Sequence, residues 1–325
     1  MFSQASSHRW AIAQALFVTL LWSSSWVLIK IGLDEIPALT FAGLRYCLAA
    51  LCLLPFVVLR SERRAKLRAL SSQDWGWLAL LGLVFYALTQ GAQFVGLAYL
   101  PAVTVSLMLN FTPVVVALMG IPLLGEYPRR WQWIGVALFI IGAVVYFYPP
   151  VFPAQQVIGL LVVAVGVLSN AGSSVLGRFV NRRETIDTLT ITGVSMAIGA
   201  ALLLTAGVTT QGLPTFSWTG WGIVLWLAVV NTAFAFTLWN HTLRTLPAMQ
   251  SSVINSTMLI QIAILAWVFL GERINWIEGI GLVCAAAGVL IVQLTPVQRS
   301  LRRARSSSSA SESTPESAST GYAGD

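Results

Sequence analysis

The sequence predicts an all-α membrane protein with ten transmembrane helices, arranged as two inverted repeats of five helices. Three observations support this fold class: the composition, the recurrence of long apolar segments, and an internal duplication. Of the 325 residues, 57% are hydrophobic and only 10% are charged, and the mean hydropathy is +0.78. Soluble domains carry about 25% charged residues, so the composition places this chain in a membrane.

Apolar segments of about 20 residues recur along nearly the whole chain, and a helix of that length crosses a ~30 Å hydrocarbon core. We number these ten segments spans 1 to 10. They cover residues 10–31, 36–59, 75–97, 101–124, 131–149, 157–179, 188–208, 219–242, 246–270 and 276–294. Span 1 is too long for the apolar part of a signal peptide and leads directly into span 2, so we interpret it as a permanent helix.

Most basic residues collect in the loops of one side. They follow spans 2, 4, 6, 8 and 10, at Arg60, Arg63, Arg64, Lys66, Arg68, Arg129, Arg130, Arg182, Arg183, Arg244, Arg299, Arg302, Arg303 and Arg305. The opposite loops have only Lys30 and Arg273. Because basic loops stay in the cytoplasm, we expect a multi-pass protein of the cell's inner (plasma) membrane with both termini cytoplasmic. The net charge of +7 then orients the chain and does not indicate nucleic-acid binding.

The two ends of the chain differ from the apolar middle. Residues 1–9 are expected to form a short cytoplasmic N-terminus. Residues 295–325 form a Ser-rich tail with too little apolar content to offset the entropy of ordering it, so we expect it to be disordered and cytoplasmic. Its basic start has two interpretations: contact with anionic lipid headgroups, or charge that simply stops translocation.

The middle of the chain is duplicated. The motif "LPAVTVSLMLN...LLGE" from Leu100 recurs as "LPAMQSSVINS...FLGE" from Leu246. At the same offset, Trp75, Gly76, Gly135 and Gly142 match Trp221, Gly222, Gly281 and Gly288. The first repeat is therefore residues 10–149 (spans 1–5) and the second is residues 157–294 (spans 6–10). Five is an odd number, so the second copy enters the membrane from the other side, and the copies are related by a two-fold axis in the membrane plane. Inverted repeats of this kind are typical of secondary transporters, which bind substrate between the halves.

Several motifs carry a family resemblance: "LLWSSSWVLIK" at 20–30, "LTFAGLRY" at 39–46, and "LGE" at 124–126 and 270–272. In their order and duplication they resemble the drug/metabolite transporter superfamily in its double EamA-domain form, over about residues 10–294. The resemblance implies ten helices with cytoplasmic termini, a central cavity lined by spans 1, 3, 4, 6, 8 and 9, and export or exchange of small metabolites. Two differences between the repeats matter most: Ser195 stands where the first has Arg45, and Leu259 stands where the first has Pro113. We therefore expect the halves to contribute unequally to the site.

Span 1 has a polar and aromatic stripe that a lipid-facing helix does not need. Helical spacing puts Trp22, Trp26 and Lys30 on one face, with serines such as Ser24 on adjoining faces. The matching stripe of span 6 consists of Asn170, Ser174 and Arg178. Trp22 and Trp26 are predicted to line the cavity, and the alternative is that they anchor the helix at the interface, as Lys30 is expected to do.

Arg45 lies roughly at the centre of span 2, where a cation facing lipid would cost at least ~2.5 kcal/mol. It must therefore face protein or water. Two roles fit equally well: it caps backbone carbonyls of a neighbouring helix, or it contacts an anionic group.

Polar and aromatic residues on consistent faces of spans 3, 4, 8 and 9 complete the predicted substrate-binding set. They are Tyr86, Gln90, Gln93, Asn110, Asn231, Trp239, Ser252, Asn255 and Ser256. Ser106, Asn240 and Gln261 are further polar candidates on these spans. Hydrogen bonding between helices explains any one of them equally well, but together they outnumber what packing needs. Glu126 and Glu272 end their helices and are expected to fix loop geometry. A lining of aromatics, amides and hydroxyls with few charges suits a small amphipathic metabolite, with amino acids foremost.

Other function classes lack their motifs. The chain has no G-x-x-x-x-G-K-[ST] loop for nucleotide hydrolysis, no ion-channel filter and no nucleophile motif for an intramembrane enzyme. We expect no enzymatic activity, no cofactor and no metal, and as partners only a small-molecule substrate and membrane lipid. Two alternatives stay open: a broad-specificity drug or metabolite efflux protein, and a non-transporting scaffold. The chain is expected to be a monomer, or a weak homodimer through its glycine pairs.

Overall fold

The computed structural model of the protein describes residues 2–124, 126–127, 129–150, 153–181, 186–213, 215–243, 245–295 and 298–299. Within these residues, nine helical segments are long and apolar enough to cross a membrane, and one shorter apolar helix, Arg130–Tyr146, corresponds to span 5. The predicted fold class is confirmed. The Ser-rich tail from residue 300 onward lies outside the described residues.

The helices follow the predicted spans closely. Spans 1 to 3 are Phe2–Gly32, Ala38–Val58 and Ser72–Tyr99; span 4 is Ala102–Leu109 with Thr112–Leu124; spans 5 to 7 are Arg130–Tyr146, Ala154–Asn181 and Thr188–Gln211; span 8 is 218–242; span 9 is Ala248–Ser256 with Met258–Leu270; span 10 is Trp276–Leu294. Span 1 begins eight residues earlier than predicted, and a short basic helix, Ser61–Arg68, follows span 2. A two-residue strand pair joins Glu126–Tyr127 to Gln298–Arg299, antiparallel.

Four spans depart from regular α-helix, and they do so in repeat-related pairs. Span 3 contains a π-helical segment, Gly82–Gln90, and span 8 contains one at Val229–Phe234. Span 4 breaks at residues 110–111, and span 9 breaks at the matching residue, Thr257. Pro113 lies just beyond the first break, where proline disfavours a preceding helix, yet the second break has no proline. The break is therefore a property of the repeat, and proline is not its sole cause.

The two halves touch backbone to backbone along spans 5 and 10. A Cβ atom on Gly135 would lie 2.8 Å from Gly288 O, and one on Gly142 would lie 2.6 Å from Gly281 O. In the duplication Gly135 matches Gly281 and Gly142 matches Gly288, so exchanging the halves turns one contact into the other. Reciprocal contacts of this kind are what a two-fold axis between inverted repeats requires.

Spans 2 and 7 form a second close pair. A Cβ atom on Gly207 would lie 2.5 Å from Thr40 N, and one on Gly43 would overlap the backbone of Leu204. The glycine faces of both pairs are thus covered within one chain. A homodimer would therefore need a contact surface different from the glycine faces that the sequence suggested.

The loops gather at two ends of the bundle. The first, which we call the Lys30 end, includes residues 31–37, 100–101 and 271–275, and Ser217 Oγ there donates to a Glu35 carboxylate oxygen at 2.7 Å. The second, the Arg60 end, includes residues 59–71 and 186–187, where Arg63 pairs with Asp187 at 3.4 Å. This grouping matches the predicted alternation of basic and non-basic loops.

Replacing Gly142 with alanine should destabilise the protein, because the new Cβ atom would lie 2.5 Å from the backbone nitrogen of Ala285. Overpacking of this kind costs about 1–3 kcal/mol. The matched control is Gly279→Ala in span 10, where a Cβ atom meets nothing within 4 Å and helix propensity favours alanine. Thermal unfolding in detergent should show a lower Tm for Gly142→Ala and an equal or higher Tm for Gly279→Ala. Equal Tm values for the two variants would contradict the close pairing.

Candidate functional site

Three aromatic rings form one cluster between spans 1 and 8. The Trp22 ring lies 5.2 Å from the Phe236 ring and 5.3 Å from the Trp239 ring, centroid to centroid. We call these residues the aromatic trio. Trp22 Nε1 is buried and has no hydrogen-bond acceptor among the described residues, which is unusual for an indole. The structure therefore brings together two of the predicted site residues, Trp22 and Trp239, and adds Phe236.

The repeat-related positions hold amides. At the offset that matches Trp75 with Trp221, Gln90 corresponds to Phe236 and Gln93 to Trp239, and the span 1 stripe pairs Trp22 with Asn170. These three amides are half-buried in spans 3 and 6, which pack against each other. One half thus presents an apolar, polarisable surface where the other presents hydrogen-bonding groups.

Asn231 ties span 8 to span 1. Its side chain is fully buried and donates from Nδ2 to Leu21 O, to Ser25 Oγ at 2.8 Å and to Ser24 Oγ at 3.2 Å. Its Oδ1 atom is buried without a partner. Two predicted site residues, Asn231 and Ser24, therefore form an interhelical junction inside the π segment of span 8.

A second junction joins span 1 to span 9 through Gln261, one of the further polar candidates from the sequence. Ser23 Oγ donates to Gln261 Oε1 at 2.9 Å, and Gln261 Nε2 donates to Thr19 Oγ1 at 3.2 Å and Thr257 Oγ1 at 3.0 Å. The available signal was the i, i+4 spacing of Thr19 with Ser23 and of Thr257 with Gln261. That spacing places each pair on one helical face.

Arg45 belongs to a cluster between spans 2, 3 and 8. It is 5% exposed, and its Nε donates to Thr232 Oγ1 at 3.2 Å. The guanidinium carbon lies 5.2 Å from the Tyr46 ring centre and 5.9 Å from the Phe94 ring centre, within cation–π range. The Tyr46 hydroxyl donates to Gln90 Oε1 at 2.6 Å, and the Tyr46 and Tyr86 rings are 5.7 Å apart. Arg45, Tyr86 and Gln90 of the predicted set are thus neighbours through Tyr46.

Spans 4 and 6 bring together further predicted residues near the break in span 4. Asn170 Nδ2 donates to Thr112 Oγ1 at 3.1 Å, while Asn110 Nδ2 donates to Ser106 O at 2.9 Å. Ser174 Oγ donates to Asn170 O in its own helix at 2.9 Å. The Ser106 hydroxyl, buried in the interior near the break, has no hydrogen-bond partner within the described part of the chain.

The remaining predicted residues are placed elsewhere. Trp26 is 7% exposed and lies in the main hydrophobic core. Ser256 donates to Gln293 Oε1 of span 10 at 2.7 Å, Asn255 is exposed, and Gln93 has no hydrogen bond within the described part of the chain. The Ser252 side chain lies outside the described residues.

Two charged residues fasten the Lys30 end. Lys30 Nζ donates to Leu97 O and Leu100 O, so it joins the end of span 1 to the end of span 3. Its anchoring at the membrane interface stays a prediction. The Glu272 carboxylate accepts from Ala102 N at 2.7 Å and Val103 N at 3.2 Å, which are free donors of a helix start. The "LGE" of the second repeat therefore caps the "LPA" helix of the first, which confirms the predicted role of Glu272. The side chain of Glu126 lies outside the described residues.

Three cavities lined by described residues contain none of this set. An apolar groove of about 600 Å³ lies between spans 4, 5 and 6, with Val144 and Leu168 among its exposed side chains, and we assign it to lipid. A polar cavity of about 450 Å³ lies at the Lys30 end beside Tyr146 and Glu272, and one of about 340 Å³ lies on spans 9 and 10. None of the predicted site residues lines these three cavities. The described residues also contain no group of three or more His, Cys, Asp or Glu able to hold a metal ion.

The inverted five-helix repeats and their polar interior define a membrane transporter. The chain belongs to the EamA-like transporter family, whose sequence model matches residues 9–148 and 157–294. It is similar to the uncharacterized transporter YvbV of Bacillus subtilis (29% identical over 62% of this chain and 64% of that protein). It is also similar to the uncharacterized inner membrane transporter YedA of Escherichia coli K12 (27% identical over 86% of this chain and 90% of that protein). A solved crystal structure shares the fold, with a TM-score of 0.61 and 19% identity over 88% of this chain and 98% of that one.

Replacing Asn231 with leucine should destabilise the protein, because Leu21 O and Ser25 Oγ would lose a buried donor. Leaving buried polar groups unpaired costs about 1–3 kcal/mol. The matched control is Asn255→Leu, since the Asn255 side chain is exposed. Thermal unfolding in detergent should give a lower Tm for Asn231→Leu than for Asn255→Leu. The reverse order would show that the junction between spans 1 and 8 contributes little.

Proposed function

We propose that this protein is a secondary transporter that exports or exchanges small amphipathic metabolites, with amino acids foremost. The observation that carries the proposal is the chemical difference between repeat-related positions. The aromatic trio of spans 1 and 8 offers an apolar surface, whereas Gln90, Gln93 and Asn170 offer amides. A molecule with one apolar part and one hydrogen-bonding part matches both surfaces.

The proposed mechanism is alternating access between the inverted repeats. Spans 2 with 7 and 5 with 10 are packed at backbone distance, so we propose that the halves turn about these pairs without separating them. The π segments of spans 3 and 8 and the breaks in spans 4 and 9 supply places where the remaining helices bend. Irregular helical segments of this kind are frequent at functional sites.

We also propose that the chain lies in the inner membrane with the Arg60 end in the cytoplasm. Support comes from the basic loops, which gather at that end, and from the positive-inside rule. YedA is itself named an inner membrane transporter. In this orientation the contacts of Lys30 and Glu272 close the outward-facing end.

A broad-specificity efflux protein is the second candidate, and the aromatic trio favours it. Aromatic side chains bind flat apolar compounds by contact area and ring stacking, with little demand on hydrogen-bond geometry. A selective metabolite carrier should instead depend on the amides as strongly as on the aromatic rings.

Replacing Trp22, Gln90 or Asn110 with alanine should lower transport several-fold without lowering membrane abundance. Each change removes a surface or donor from the interior and leaves the glycine-packed pairs intact. A screen of radiolabelled metabolites in cells that overproduce the chain identifies the compound to follow. Trp218→Ala is the matched control, since that tryptophan is 93% exposed. Unchanged flux in all three variants would defeat the site assignment, and loss only in Trp22→Ala would favour the second candidate.

Transport should be driven mainly by the gradient of the substrate itself. Proton-coupled carriers commonly use a carboxylate buried at mid-membrane. In the described residues every Asp and Glu lies in a loop, in the two-residue strand or near a helix end. Proteoliposomes with equal substrate on both sides and an imposed pH gradient should therefore show exchange without net accumulation. Accumulation that collapses when a protonophore is added would contradict this expectation.

A further inference from the structure

Arg45 is a buried cation whose charge no residue in the described structure balances. The described part of the chain holds two ion pairs, Arg63 with Asp187 and Lys66 with Glu62, and both lie at the Arg60 end. Arg45 has one hydrogen bond, from Nε to Thr232 Oγ1. A buried charge with neither a counter-ion nor a full set of hydrogen bonds is costly.

The two terminal nitrogens of the guanidinium are free to bind. They donate to no residue in the described structure, and neither is among the fully buried polar atoms that lack a hydrogen-bond partner. Their donor capacity is therefore unused, and they are not completely enclosed by protein. A planar guanidinium presents these nitrogens in the geometry that matches a carboxylate.

A purely structural role for Arg45 fits the geometry poorly. The guanidinium caps no backbone carbonyl in the described structure, which was the structural alternative from the sequence. The repeat-related position holds Ser195, which is 1% exposed and donates to Ile191 O of its own helix at 2.6 Å. The second half therefore packs at this place without a cation.

Gln90 supplies a further donor in the same cluster. Gln90 Oε1 accepts from the Tyr46 hydroxyl at 2.6 Å, and this bond fixes which end of the amide is engaged. The Gln90 Nε2 group then remains as a donor, and it has no acceptor in the described structure. Tyr46 joins this amide to Arg45, whose guanidinium lies 5.2 Å from the Tyr46 ring centre.

We propose that Arg45, with Gln90, forms the binding site for the carboxylate of the transported molecule. The substrate is then an organic carboxylate whose apolar part lies towards the aromatic trio. This inference rests on the proposed transport function and narrows its substrate class. The carboxylate supplies the counter-charge that the protein itself lacks at this position.

The first test needs no known substrate. If Arg45 is kept for binding, Arg45→Gln removes an uncompensated charge, and the ligand-free full-length protein in detergent should have an equal or higher Tm. Lys30→Met is the matched control, because that cation is bonded to two carbonyls and its loss should lower the Tm. A fall in Tm for Arg45→Gln as large as that for Lys30→Met would overturn the proposal.

The second test compares matched ligands. Proteinogenic L-amino acids and simple organic acids are added to the purified wild type, each beside its carboxamide, with sodium phosphate as a separate anion. At least one carboxylate should raise the Tm while its amide does not, Arg45→Lys should keep part of the shift, and Arg45→Gln should lose it. Stabilisation by phosphate alone, by amides as well as acids, or by no carboxylate would overturn the proposal.

Flux in proteoliposomes separates this site from the transport function. Uptake of the stabilising carboxylate should fall about tenfold or more in Arg45→Gln, as expected when one charge-assisted contact is lost. Equal uptake by wild type and Arg45→Gln would remove the site and leave the transport function standing. Carboxylate binding that depends on Arg45, without any flux, would keep the site and remove the transport function.

Discussion

Close contact between helix backbones holds the two halves of this transporter together, and the rest of the structure depends on it. Hydrocarbon gives no hydrophobic drive for helices to associate, so small residues that let backbones approach become the main source of packing energy. Glycines supply this contact in spans 2 and 7 and in spans 5 and 10. With those pairs fixed, spans 1, 3, 4, 6, 8 and 9 are left to surround the interior. Their polar side chains must then find partners among themselves, since lipid offers none.

The interior that results is unequal in its two halves. An inverted duplication starts with identical surfaces on both sides of its axis, and divergence makes them different. Here one side keeps tryptophan and phenylalanine where the other has amides, and one keeps an arginine where the other has a serine. A binding site between such halves is chemically asymmetric, so a substrate should bind there in one preferred orientation.

The sequence predicted the architecture well because membrane spans and duplications are long-range patterns. Apolar length predicted the spans, the constant offset between the repeats predicted the duplication, and the odd number of spans in each repeat predicted the inversion. The site was predicted less fully, because contact depends on the rotation of each helix about its axis. From the sequence, Ser256 and Trp26 were equivalent to their polar and aromatic neighbours, but Ser256 contacts span 10 and Trp26 lies in the core. Ser23 and Gln261 form a hydrogen bond between helices that are far apart in sequence. The breaks in spans 4 and 9 both escaped prediction, and no proline marks the one in span 9.

The pairing of span 5 with span 10 has a consequence for how the chain is made. Translation runs from the N-terminus, so spans 2 and 5 enter the bilayer before the ribosome has produced spans 7 and 10. During that interval the glycine faces of spans 2 and 5 meet only acyl chains, and the first half has no partner for its most closely packed surfaces. The last helix to be synthesised is thus the one that completes assembly, and a chain truncated before residue 276 would leave span 5 permanently without its partner, open to wrong helices and to quality-control proteases.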